Sequence, residues 1–128
     1  MKKISLAGLF CATLFAFAAA AYAHHSPAIF DRTKEVKLVG VVKEFRWSNP
    51  HSFIELSVPN ANGGADAWAV EMGSPSALVK AGWKSTIIKA GDQVAATIHP
   101  LRTDEKAGQF VSLTLPNGRV LTERAPAP

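Results

Sequence analysis

Four histidines are the residues of this chain best suited to chemistry: His24 and His25, adjacent, and His51 and His99, each isolated. As the first residue of a processed chain, His24 would offer two donors at once. Its α-amine and its ring Nδ1 close a chelate. An amine pKa of about 7.7–8.0 lets a metal displace the proton readily. A ring nitrogen from His51 or His99 would complete a histidine brace, three nitrogens that suit Cu(II), with His25 nearby. The other amino-terminal copper motif needs histidine third, and Ser26 stands there. Copper is therefore the one cofactor the residues suggest, with His24, His25, His51 and His99 as its candidate ligands. The plain alternative is that His24 and His25 belong to an arm and hold metal only adventitiously.

A second constellation is Trp47-Ser48-Asn49-Pro50-His51, followed by Phe53 and, further on, Trp68. Trp47, Asn49, Phe53 and Trp68 could line an aromatic pocket for a small molecule or a protein partner. The competing use of tryptophans in a small domain is core packing. Asn49 precedes proline, so it should be extended, with its amide capping the turn. His51 and Glu55 lie four apart on a predicted strand, about 13 Å, too far to share an ion. Glu55 is better placed to pair across the sheet. No nucleophile elbow, H-E-x-x-H or phosphate-cradling glycine loop occurs. No catalytic residue is assigned, and an enzyme is not expected.

These residues need a scaffold. Residues 1–23 read as an export signal: Lys2 and Lys3, an uncharged apolar run from Ile4 to Ala20, then Ala21-Tyr22-Ala23 as the cleavage pattern. Cys11 lies within that run, and Leu9-Phe10 before it do not make a lipobox. Cleavage after Ala23 would leave no membrane anchor and no cysteine, in a periplasmic or secreted protein. The whole chain has 128 residues, 14 Lys+Arg, 10 Asp+Glu and one cysteine. That length suits one domain and excludes a multidomain enzyme, and one cysteine excludes a disulfide framework. Losing Lys2 and Lys3 leaves 12 basic against 10 acidic residues, a net charge of +2. With no basic run, nucleic acid is not an expected partner.

The processed chain reads as an arm (24–35), a β domain (36–122) and a flexible tail (123–128). Strands are predicted at Val36 to Trp47, His51 to Val58, Ala67 to Met72, Gln93 to His99 and Gln109 to Leu115. Gly40 interrupts the first as a bend. Ile54, Leu56 and Val58 should share one face of the second strand, and Trp68, Val70 and Met72 one face of the third. Ser74-Pro75 predicts a helix start, Ser76 to Ala81 its body, Gly82 its stop, and Trp83 its contact with the sheet. Ser85 to Lys89 predicts one more helical turn. Asn117-Gly118 predicts a type I′ hairpin into Val120 and Leu121. Three strands, a short helix and two or more strands is the order of a mainly β, five-stranded OB-like barrel. The alternative is an open β-sandwich or roll.

An ordered set of blocks then stands out: Ala23-His24-His25-Ser26 with Phe30-Asp31, Gly40-Val41-Val42, and Trp47 to His51 with its N-P-H core. Trp68-Ala69-Val70-Glu71, Gly73-Ser74-Pro75, Gly82-Trp83, Gly91-Asp92 and Asn117-Gly118 follow. The set resembles a family of small exported bacterial proteins known only as a domain of unknown function. The resemblance spans nearly the whole processed chain. It implies a signal peptide and a small OB-like domain, and it implies no activity.

Overall fold

The computed structural model describes residues 27–124. The expected signal segment (1–23), His24, His25 and the last four residues of the expected tail lie outside the described residues.

Alternating β-branched and polar residues produce six strands: β1 Val36–Arg46, β2 Phe53–Pro59, β3 Ala65–Glu71, β4 Gln93–Pro100, β5 Ala107–Thr114 and β6 Val120–Thr122. One helix, α1 (Pro75–Lys80), lies between β3 and β4. The sheet order is β3-β2-β1-β4-β5-β6, and a parallel β3–β5 pairing closes the first five strands into a barrel. This is the OB-like architecture with its helix between the third and fourth strands.

The barrel closes because β1 serves two neighbours. Val36 to Val41 pair with β4, and Val41 to Arg46 pair with β2. The handover falls at Gly40. A Cβ there would collide with the backbone carbonyl of Ser57, so only glycine lets β1 pass β2 so closely. A register shift between Val42 and Glu44 bends the strand further. Gly108 plays the same part in β5, where a Cβ would stand 2.6 Å from the His99 carbonyl oxygen.

The predicted faces are the observed ones. Ile54, Leu56, Val70, Met72, Val94, Ala96 and Ile98 are buried in the barrel core. α1 plugs it with Leu78. The Ser74 hydroxyl accepts from the Ala77 N–H at 3.3 Å, and Pro75 opens the helix. Gly82, at φ +88°, ends it. The Trp83 N–H then donates to the Leu78 carbonyl at 2.9 Å. Trp83 is buried, packs edge-on to Phe110 at 5.4 Å, and donates its indole N–H to the Thr122 carbonyl at 2.8 Å. One side chain thereby joins the helix end, β5 and β6.

Two local expectations are corrected. Ser85 to Lys89 form turns, not helix, and Ile88 is buried there as a core residue. The hairpin at Asn117-Gly118 is not type I′, because only Gly118 has positive φ, +83°. Pro116 fixes its own φ near −65°, which fits the first central position of a type I turn and forbids type I′. Gly118 then takes the left-handed bulge position, with the Leu115 N–H donating to the Arg119 carbonyl at 2.9 Å.

Gly40→Ala should destabilise the domain by about 1–3 kcal/mol, the usual cost of overpacking. Urea unfolding with an unchanged m-value checks it, and a cost below about 0.5 kcal/mol contradicts the close-approach account. Trp83→Phe keeps most of the packing but orphans the Thr122 carbonyl, and should cost about 1 kcal/mol in the same assay.

Candidate functional site

The chain enters the described region along the end of β4. The Arg102 N–H donates to the Ile29 carbonyl at 2.9 Å, its Nε to the Ala28 carbonyl at 2.9 Å, and the Asp31 N–H to the Pro100 carbonyl at 2.8 Å. Asp31 then makes a tight turn of its own. Its carboxylate accepts from the Thr33 hydroxyl at 2.6 Å and the Thr33 N–H at 3.2 Å, and pairs with Lys34 at 3.2 Å. The Thr33 hydroxyl bond, then the Lys34 side chain, hold its carboxyl down at about 2. The turn carries Arg32 at its tip and delivers the Lys34 carbonyl to His99.

His99 Nδ1 lies 2.9 Å from that carbonyl oxygen. A carbonyl only accepts, so Nδ1 carries the hydrogen and, in the neutral ring, Nε2 carries the lone pair. His51 has the same arrangement in the turn before β2. Its Nδ1 lies 3.0 Å from the Met72 carbonyl oxygen and 3.2 Å from Glu71 Oε1. The turn before it is tied by serines, not by the expected Asn49 amide. The Ser48 hydroxyl donates to the His51 carbonyl at 2.9 Å, and Ser52, fully buried, receives the Ser48 N–H at 3.4 Å. Asn49 is exposed, and its peptide bond to Pro50 is cis.

The register fixes how far apart the two histidines are. Phe53 pairs with Glu71, Glu71 lies beside Gln109, and Gln109 pairs with His99. This row runs along the outside of the barrel, since its neighbours Ile54, Val70, Phe110 and Ile98 all point into the core. His51 meets this row at Glu71, and Gln109 stands between Glu71 and His99. Among the described residues, no group of three or more His, Cys, Asp or Glu side chains could hold a metal ion. Glu55 pairs with Arg46 across the sheet at 2.7 Å, as its spacing from His51 suggested.

The proposed pocket residues are dispersed. Trp47 packs edge-on against Phe45 at 5.6 Å, and Trp68 lies against the core with Lys106 at 5.4 Å from its ring. Phe53 takes the Arg46 guanidinium at 5.3 Å on the outer face. Phe53 opposes Glu71 while Trp68 opposes Leu56, which sets the two rings on opposite faces of the sheet. Neither groove described next is lined by these four residues.

The first groove is apolar, about 390 Å³, and runs over the Gly40 crossing between Val39, Pro59 and Leu115. The second is polar, about 730 Å³, and lies over the outer row beside the Asp31 turn. Arg32, Glu35, His99, Gln109, Glu123 and Arg124 line it. Glu123, which the sequence puts in the tail, accepts the Gly73 N–H at 2.7 Å across 50 residues of chain. Burial raises its carboxyl pKa, against the Gly73 bond and the nearby His51, which lower it. Sequence reading missed Glu71 and Glu123 because nothing local marks them; the β2–β3 pairing brings Glu71 to His51, and Glu123 reaches Gly73 from beyond β6.

These two carboxyls give opposite pH signatures. Asp31, with its lowered pKa, stabilises the fold above its ordinary 3.8, and that contribution is lost as pH falls through about 2. Glu123, with its raised pKa, favours the fold most when protonated, below its ordinary 4.5, and that contribution is lost as pH rises through the raised value. Melting temperatures from pH 2 to 7 should therefore lose part of their acid drop in Asp31→Asn. In Glu123→Gln they should lose part of their decline above the Glu123 pKa. Superimposable profiles for wild type and variants would refute both assignments.

A family model described as a family of unknown function matches residues 12–110. No curated protein and no solved structure matches the chain.

Proposed function

We propose that this chain, which belongs to the family of unknown function DUF6152, is a small exported binding module whose ligand is a divalent metal ion, copper above others. The donors are the amine and ring of His24, once residues 1–23 are removed, and the ring of His99. The observation that carries this reading is the carbonyl held by His99 Nδ1 at 2.9 Å. Histidines that ligate metals commonly donate their other ring N–H to a carbonyl or carboxylate, which fixes the tautomer and aims the ligating nitrogen.

Chain length supports His99 over His51 as the barrel donor. Ala28 is fastened to Arg102. From Ala28 to His24 is four residues, a reach of up to about 14 Å. His99 is three residues from Arg102 along the same strand end, about 10 Å. His51 precedes β2, which β1 separates from β4. His25, next in the chain, is the reserve donor. When bound, Cu(II) would supply a Lewis-acidic, redox-capable centre. The part this chain plays is to present three nitrogens with one ring already oriented.

The test is Cu(II) titration of native, processed protein against a competing chelator, with the electron paramagnetic resonance spectrum as a second readout. Binding should be micromolar or tighter. A single residue added before His24 should weaken it by more than about tenfold, as should His99→Ala, with loss of nitrogen hyperfine structure. His51→Ala should leave both readouts unchanged. Equal binding by the extended form would refute the amine's role, and equal binding by His99→Ala would refute the ring's.

A further inference from the structure

We propose that the polar groove beside the Asp31 turn is a binding site for a small organic oxyanion, held between the guanidinium groups of Arg32 and Arg124. Both side chains line the groove, and neither guanidinium has an ion-pair or hydrogen-bond partner within the described residues. Lys34 is paired with Asp31 in the turn beneath Arg32, and away from the groove Arg46 is taken by Glu55, Lys89 by Asp92 and Lys106 by Asp66. Two unmatched guanidiniums therefore face one concavity of about 730 Å³, within the usual size range of small-molecule sites.

Each arginine is carried on backbone that the fold fixes. Arg32 occupies the tip of the turn that Asp31 ties to Thr33 and Lys34, itself bonded to Pro100. Arg124 follows β6, and its N–H donates to the Thr122 hydroxyl at 3.4 Å while the Thr122 carbonyl is held by Trp83. The two therefore come to the groove from distant parts of the chain, one from the turn before β1 and one from just after β6. A guanidinium presents a planar fork of donors that matches carboxylate or phosphate oxygens two at a time.

The groove's acidic residues limit what fits. Glu123 is engaged by the Gly73 N–H and its charge is disfavoured by burial. Glu35 has no partner among the described residues and stands on the same lining. The site thus offers two positive charges against one unengaged carboxylate, with Gln109 as a neutral hydrogen-bonding group on its lining. A small carboxylate or phosphate ester matches that charge pattern. An extended anionic polymer does not, because the chain has no basic run beyond the groove. This inference is independent of copper, since it uses neither His24 nor the ring nitrogen of His99.

Calorimetric and NMR titration of metal-depleted full-length protein with succinate, and separately with inorganic phosphate, tests it. Arg32→Ala and Arg124→Ala should each weaken binding by about tenfold or more, the loss of one charged hydrogen-bonding partner. Glu35→Gln should tighten it by removing a like charge. Arg119→Ala, which deletes the same charge away from the groove, should change nothing. Succinate binding alone identifies a carboxylate ligand, phosphate binding alone a phosphate one, and both a general oxyanion site. The proposal is overturned if neither probe binds, or if Arg119→Ala weakens binding as much as the groove variants. Thermal melts of each variant separate lost binding from lost folding, and Glu35→Gln reads the site in the opposite direction from any unfolding.

Discussion

The structure depends on one close approach, that of β1 to β2 at Gly40. A single strand must hydrogen-bond to β4 with its first half and to β2 with its second. It can do so only where backbone meets backbone without a side chain between, and the Ser57 carbonyl occupies the space a Cβ would need. The bend turns a six-stranded ribbon into a closed barrel, and the parallel β3–β5 contact then follows from topology. Gly108 repeats the device on the opposite wall, where β5 leans onto β4. Closure also removes most of the free sheet edge, which a small domain must otherwise protect.

Everything of chemical interest lies outside that barrel and is positioned by it. The row Phe53, Glu71, Gln109, His99 exists only because four strands are in register around the wall. The arm is laid against the end of β4 by its backbone, and Asp31 then folds the next residues into a turn whose carbonyl reaches His99. At the other margin, Trp83 reaches through the core to hold Thr122, and the chain beyond it brings Glu123 to Gly73. Residues before β1 and residues after β6 thus line one polar groove.

Local signals were easily read. The alternation in β2 and β3 put Ile54 and Leu56, and Val70 and Met72, on the faces that are buried, because a strand with one buried face admits no other register. Ser74-Pro75 and Gly82 marked both ends of a helix of six residues, because capping chemistry is local. Where a local signal failed, a neighbouring residue had overruled it. Pro116 set the hairpin's turn type against Asn117-Gly118, and Ser48 and Ser52 took the turn bonds expected of Asn49. Ser85 to Lys89 had helix-compatible residues, yet Ile88 was needed in the core and the segment turned instead.

The sequence by itself determined the strands, their buried faces, the helix and its caps, and the bend at Gly40. Each of these is decided by residues within a few positions of one another. It also singled out His51 and His99 as chemically able, since residue type is enough for that. Only the tertiary structure decided that His51 meets Glu71 on β3 and that Glu71 and His99 lie in one row with Gln109 between them. It alone showed that Phe53 and Trp68 face opposite ways, and that Arg32 and Arg124, 92 positions apart in the chain, line one groove. Those relations depend on how the barrel closes, and closure pairs strands whose separation along the chain carries no local signal.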